Sequence, residues 1–278
     1  MKPDTPALEE RLHLTQKLFH DSLREALSIQ KAMAAKNLLD ASLEEAFNIQ
    51  LALLPAEPLR FPAMEVGYKF RPADVVSGDF LDYFPINDQL VGLYLGDVSG
   101  KGLPAALYAA VAMGTLRGII KEGQTPAAVL EFLNRRLSDR NATGRYCAVQ
   151  YAVFDQASRQ LCFANAGLAP LPLHQSRTGY RELGGGGFPC GLFRDVHYDL
   201  YTTQLASGEA VLFSTDGLTE AQDRAEQEFG LQRMIQVCDE NRNESVETLL
   251  NRLFEAVDRF AAGAPQHDDM TVAALRFV

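Results

Sequence analysis

Residues 89–140 read QLVGLYLGDVSGKGLPAALYAAVAMGTLRGIIKEGQTPAAVLEFLNRRLSDR, and their texture changes twice. Gln89 to Leu95 is a short apolar run of strand type. Gly92 inside it marks a bulge or a close backbone approach. After the glycines of GDVSGKG, helical patterning takes over from Pro104 to Lys121, and a second helix follows from Pro126 to Arg140 behind a Thr125 cap. Two helices in succession, with the next β run only at Ala148 to Phe154, break the strict alternation of a doubly wound parallel sheet. The pattern predicts an α+β fold of antiparallel sheets with helices outside.

The same texture extends outward. Further strands are expected at Met64 to Phe70, Gln160 to Asn165, Ala210 to Ser214 and Met270 to Phe277, and helices at Gly230 to Glu240 and, behind Ser245, Val246 to Ala261. Gly184 to Gly187 reads as a flexible loop. Before Pro62 the chain is helical. Thr5-Pro6 starts a helix in which Leu8, Leu12, Thr15, Phe19, Ser22, Ala26, Ile29 and Met33 recur at steps of four and three, the spacing of a packing seam. Thr15 and Ser22 interrupt that seam, so it suits packing on its own domain as well as a coiled coil; we read it as a partner-facing helix. Ser42 and Glu45 form a capping box for a second helix, Ala46 to Leu54, ended by Pro55 and Pro58. The boundary divides a helical extension, residues 1–58, from a main domain, residues 59–278.

Composition narrows the function. The 278 residues carry 26 Lys and Arg against 36 Asp and Glu, a formal charge of −10, which disfavours binding to a phosphate backbone. The N-terminus lacks the apolar core of a secretion signal, and the longest uncharged apolar stretch, Gly102 to Leu116, is too short to span a bilayer. A cytoplasmic protein is the expectation. Four cysteines without a CxxC pair and five scattered histidines offer neither a disulfide frame nor a Cys/His zinc site. Any metal must be held by oxygen.

Oxygen ligands stand where the apolar runs end. Asp79 lies in VVSGDFLDYF, Asp97 ends LVGLYLGDV, Asp216 ends AVLFSTD, and Asp268 with Asp269 opens HDDMTVAALRF. A single Asp-Gly is an ordinary turn signal. Several carboxylates at buried strand ends need cations, and with no basic residue beside three of the four positions the simplest counter-charge is a divalent metal. Hard oxygen donors select magnesium or manganese. Glycines at Gly78, Gly96 and Gly217 let backbone and ligand come close. GDVSGKG is not a phosphate-binding P-loop, because only three residues separate Gly96 from Gly100 where the P-loop has four, and Lys101 precedes glycine. STDGLTE places Ser214 where a haloacid-dehalogenase-type phosphatase needs a nucleophilic aspartate.

In order along the chain stand IQLALLP from Ile49, RPADVVSGDFLDYF from Arg71, GDVSGKGLPAAL from Gly96, NAG from Asn165, TDGLTEA from Thr215, FG from Phe229 and DDMT from Asp268. This series resembles the metal-dependent, protein phosphatase 2C-like phosphatases, in the bacterial branch typified by stage II sporulation protein E and the stress-regulator phosphatase RsbU. The resemblance covers most of residues 46–278. It implies a sandwich of two antiparallel sheets flanked by helices, with two Mn2+ or Mg2+ ions in a cleft at one end. Carried over by motif, Asp97 bridges both ions, the Val98 carbonyl binds one, Asp216 and Asp268 hold the other, and Asp79 acts directly or through water. Asp269, at a position where many relatives have asparagine, is a neighbour of the ligands or itself a ligand. The implied reaction is hydrolysis of phosphoserine or phosphothreonine by a water activated between two metals, without a phosphoenzyme. The implied substrate is a phosphorylated anti-sigma-factor antagonist.

The departures from the family pattern are Ser77 for a glycine, and Leu168 where NAG is commonly followed by histidine. Val98-Ser99 after Asp97 leaves the general acid unassigned. Arg71 reads as a surface arginine with substrate phosphate as its other reading, and His267 as a neighbour that tunes the site. The N-terminal helices imply an activator protein or a self-dimer. The rival readings are a phosphatase-fold sensor without turnover and a small-molecule phosphoesterase on the same metals.

Overall fold

The computed structural model describes residues 5–55, 60–61, 63–139 and 144–278, the side chains of 5–12 and 60 excepted. The chain separates into two compact units, Met1–Ala46 and Phe47–Val278. In chain order the elements are α1 (Thr5–Leu53), β1 (Arg60–Phe61), β2 (Met64–Arg71), β3 (Phe80–Pro85), β4 (Leu90–Val98), α2 (Leu103–Ile119), α3 (Pro126–Ser138), β5 (Cys147–Asp155), β6 (Gln160–Ala166), β7 (Leu173–Ser176) and β8 (Gly179–Glu182). They continue with β9 (Tyr201–Gln204), β10 (Ala210–Ser214), α4 (Asp216–Thr219), α5 (Gly230–Glu240), α6 (Val246–Ala261) and β11 (Met270–Phe277).

The strands form two antiparallel sheets, one in the order β1-β2-β11-β10-β7-β8 and the other β3-β4-β5-β6-β9. Strand alternation builds the layers. Leu93, Leu95, Phe154 and Phe163 face inward and meet Val66, Phe213, Leu275 and Phe277 between the sheets. Tyr94, Val149 and Tyr151, one residue out of step, face α2 and α3 on the outside. Val272, Ala274 and Leu212 do the same for α5 and α6. The result is helices, sheet, sheet, helices, the α+β sandwich expected.

Local sequence explains the helix borders. Thr125 accepts from the Ala128 amide ahead of Pro126, and Ser245 accepts from the Thr248 amide. α2 presents Ala105, Ala109, Ala112, Met113 and Leu116 inward, and the three alanines let it sit close on β4. Gly92 sits in unbroken register, and a Cβ there would lie 2.8 Å from the Phe84 ring, so it serves close approach rather than a bulge. Asn165 donates to the Gly185 carbonyl, and a Cβ at Gly187 would lie 2.3 Å from the Asn165 carbonyl oxygen. The glycine loop expected at Gly184 to Gly187 is thus anchored at Asn165, while Gly186 has open space around it.

The N-terminal region departs from expectation too. Residues 5–53 form one continuous helix, and the Ser42 hydroxyl donates to the Leu38 carbonyl within it, so the expected capping box does not form. No glycine or proline stands between Pro6 and Pro55, and Ala, Leu, Lys, Gln and Glu dominate, so nothing stops propagation. Pro58, expected to help end the helix, lies outside the described residues, as does Arg140 at the expected end of α3. Seam residues Phe19, Ile29 and Met33 are 66%, 50% and 62% exposed, so apolar side chains line part of the surface of α1.

Candidate active site

Antiparallel register gathers the acids. Phe80 pairs with Gly96, so Asp79 and Asp97 lie one step further along neighbouring strands. Ser214 pairs with Val272, which sets Asp216, the first residue of α4, beside the segment Asp268–Met270. All five candidate carboxylates thus stand at one end of the sandwich. They interact electrostatically: Asp97 with Asp216, Asp268 and Asp269, and Asp79 with Asp97 and Asp269.

Asp79 is 2% exposed. Its Oδ2 accepts from Thr271 Oγ1 at 2.6 Å and Thr215 Oγ1 at 2.8 Å, and its amide donates to Ser77 Oγ at 3.0 Å. Burial, then repulsion from Asp97, pushes its carboxyl well above the usual range, against the two hydroxyl bonds. Asp97 is pushed up to about 7 by burial and by Asp216, Asp268 and Asp269. Asp216 is raised by burial and Asp268. Asp268 pairs with Lys101, Nζ to Oδ2 3.1 Å, the sole salt bridge of the cluster among the described residues. Asp269 turns away to structure: Oδ1 accepts from the Ala73 amide at 2.7 Å and Oδ2 from the Gly78 amide at 2.8 Å. A Cβ at Gly217 would lie 2.0 Å from the Asp269 carbonyl oxygen, so only glycine lets α4 start there.

Among the described residues, no three acidic, histidine or cysteine side chains already enclose one point as a ready metal cage. The donor set nevertheless suits a hard divalent cation: carboxylate oxygens in excess of nearby base, held off their ordinary ionisation by burial and by one another. A Cβ on Gly78 would lie 3.2 Å from the Val98 carbonyl oxygen and 3.4 Å from an Asp97 carboxylate oxygen, in the space those oxygens face. Glycine therefore leaves those oxygens uncrowded.

Arg71 forms a double hydrogen bond to Asp258 and lies over the Phe254 ring, as its surface reading expects. The His267 backbone carbonyl accepts from Lys101 Nζ. Reading by carboxylates alone passed over Thr215, Thr271, Lys101 and Gln50. The two threonines flank acids in TDG and DDMT, which was the signal available.

The family model for stage II sporulation protein E (SpoIIE) matches residues 87–278, about two-thirds of the chain. The chain belongs to the SpoIIE family. Phosphoserine phosphatase RsbU of Bacillus subtilis is 26% identical over 243 residues, covering 86% of this chain and 70% of RsbU. Phosphoserine phosphatase RsbP of the same organism is 27% identical over 170 residues, which span 59% of this chain but only 42% of RsbP. Among solved structures, the SiaA-PP2C domain of Pseudomonas aeruginosa superposes with a TM-score of 0.77 at 25% identity, covering 88% of this chain and 98% of that domain. A SpoIIE phosphatase-domain structure from Bacillus subtilis gives 0.67 at 19% identity over 78% of this chain and 64% of its own. The family domain here is a PP2C-like protein serine/threonine phosphatase.

Proposed function

We propose that this domain hydrolyses phosphoserine or phosphothreonine on a cytoplasmic regulator of the anti-sigma-factor-antagonist type, using two Mn2+ or Mg2+ ions. The observation that carries the proposal is the gathering of Asp79, Asp97, Asp216 and Asp268 at one end of the sandwich with Lys101 as the cluster's single paired base among the described residues. Asp97, the Val98 carbonyl, Asp216 and Asp268 would hold the ions, with Asp79 a direct or water-mediated ligand. When bound, the ions lower the pKa of a water and neutralise charge that builds on the phosphoryl oxygens.

The chain's own groups do the positioning. Thr215 and Thr271 fix one oxygen of Asp79 and leave its other oxygen for the cleft. Asp269 acts beside the ligands, since both its oxygens tie down the loop from Ala73 to Gly78. Lys101, 64% exposed at its side chain, supplies positive charge at the rim where an anionic substrate arrives. In the hydrolysis, water oxygen bonds to phosphorus and the water gives up a proton, while the bond to the serine or threonine oxygen breaks and that oxygen takes up a proton and leaves as the hydroxyl. The exposed apolar face of α1 supports a helical partner, an activator protein or a second copy.

The test is hydrolysis of p-nitrophenyl phosphate and then of a phosphoserine-bearing antagonist protein, with manganese or magnesium, for wild type beside Asp97→Ala and Asp216→Ala. Metal-dependent turnover lost in both variants is the expected result. Metal bound without turnover on either substrate would favour a sensor, or an enzyme that awaits an activator bound to its N-terminal helix. Turnover of phosphorylated metabolites in preference to the protein would make it a small-molecule phosphoesterase.

A further inference from the structure

The motif IQLALLP contributes no carboxylate, yet its glutamine reaches the loop that carries Asp79. Gln50, on the last turns of α1, is 8% exposed. Its Nε2 donates to the Ser77 carbonyl at 2.7 Å, and its Oε1 accepts from the Ser77 amide at 3.0 Å. A side-chain amide here pairs with a single residue's backbone at both ends, as a neighbouring strand would. Ser77 is itself fully buried.

Residues 73–79 adopt no helix or strand, so their backbone amides depend on side chains, some from the segment itself and some from elsewhere. Asp269 serves Ala73 and Gly78, and Gln50 serves Ser77. Ser77 Oγ then accepts from the Asp79 amide. The chain of contacts runs from α1 through Ser77 to the buried carboxylate. We infer that Gln50 is a positioning residue for Asp79, clamping the Ser77 backbone so that the carboxylate stands at the metal centre. This rests on the proposed metal site, and it concerns how that site is held rather than which atoms line it. Only a primary amide of this length offers donor and acceptor together; Glu lacks the donor, and Met, of similar volume, lacks both.

The clamp is tested with Gln50→Met, which keeps the packing and removes both hydrogen bonds, beside Glu209→Leu. Glu209 accepts from the Ala206 and Arg177 amides at the opposite end of β10, so its loss weakens the fold away from the acids. Two readouts are taken on the full chain: exchange of the Asp79 amide hydrogen without metal, and the manganese titration midpoint by calorimetry. Exchange of Asp79 in Gln50→Met is expected to quicken about tenfold and the midpoint to rise about tenfold, the size seen when groups supporting a metal ligand are removed. Glu209→Leu is expected to move neither.

An unchanged midpoint overturns the inference even if exchange quickens, because Gln50 then serves stability alone. Equal shifts in Glu209→Leu overturn it as well. If wild type takes up no manganese, the proposed function fails, and the Asp79 exchange rate still decides whether Gln50 holds that residue.

Discussion

The two ends of β10 treat their acids in opposite ways. At one end Glu209 is answered: it accepts from the Ala206 amide at 3.0 Å and the Arg177 amide at 3.3 Å, and meets His174 Nε2 at 3.1 Å. Burial alone would raise its pKa, but those bonds outweigh it and hold the carboxyl below its usual value. At the other end Asp216 faces Asp268 and Asp97, and burial with mutual repulsion raises both Asp216 and Asp97. One strand thus carries a carboxylate arranged for stability and another held at the expense of stability. Carboxyls whose pKa values are raised by burial and by one another cluster at functional sites.

The sharpest way to break this contrast is Asp97→Asn, which keeps the shape and removes a charge. Turnover with manganese is expected to fall at least about 1,000-fold, or about 4 kcal/mol in the barrier. A residual rate within tenfold of wild type would show that Asp97 is not central. In metal-free protein the same variant is expected to be more stable, by about 1–4 kcal/mol, because a buried carboxylate pushed up to about 7 no longer repels its neighbours. Glu209→Leu should go the other way by about 1–3 kcal/mol, as it strands the amides that Glu209 serves. Urea unfolding measures both, and destabilisation in both variants would erase the distinction between the two ends.

How much of this was legible follows the same physics. Strands with a continuous apolar face, such as Ala210–Ser214 and Met270–Phe277, were readable to the residue, and so were the helix behind its Ser245 cap and the helix Gly230–Glu240. β3 was not, because FLDYFP carries an aspartate and a proline and pairs on one side only. β7, β8 and β9 are four-residue segments rich in polar groups, whose pairing comes from tertiary context rather than from their own pattern. Acids at strand ends announce themselves by type and position. The hydroxyls of Thr215 and Thr271 and the amide of Gln50 do not, because neutral groups that hold a charged one are ordinary residues until the fold brings them within hydrogen-bond reach. The capping box at Ser42 failed because capping signals matter only where a helix has cause to stop.

Thr271→Val sharpens the contrast by testing the answered part of the unanswered end. Its hydroxyl donates the shorter of the two bonds to Asp79, and valine keeps the volume without the donor. The manganese midpoint is expected to rise about 10- to 100-fold, equivalent to about 1.4–2.7 kcal/mol, with the metal-saturated rate changed less. A midpoint within twofold of wild type would mean that Thr215 alone suffices to orient Asp79.

The smallest effect is the acid response of the quiet end. Because the folded-state pKa of Glu209 is depressed, its contribution to stability is fully present above the unfolded value of about 4.5 and is lost as pH falls through the lower folded value. The stability gap between wild type and Glu209→Gln should therefore stay constant, at about 1 kcal/mol, from pH 7 to about pH 5, and close below it. Unfolding curves at half-unit steps of pH measure the gap. A gap that widens as pH falls below about 5, the range in which the carboxyl itself titrates, would reverse the sign, and would mean that Glu209 sits among repelling groups like the aspartates at the far end of its strand rather than among donors.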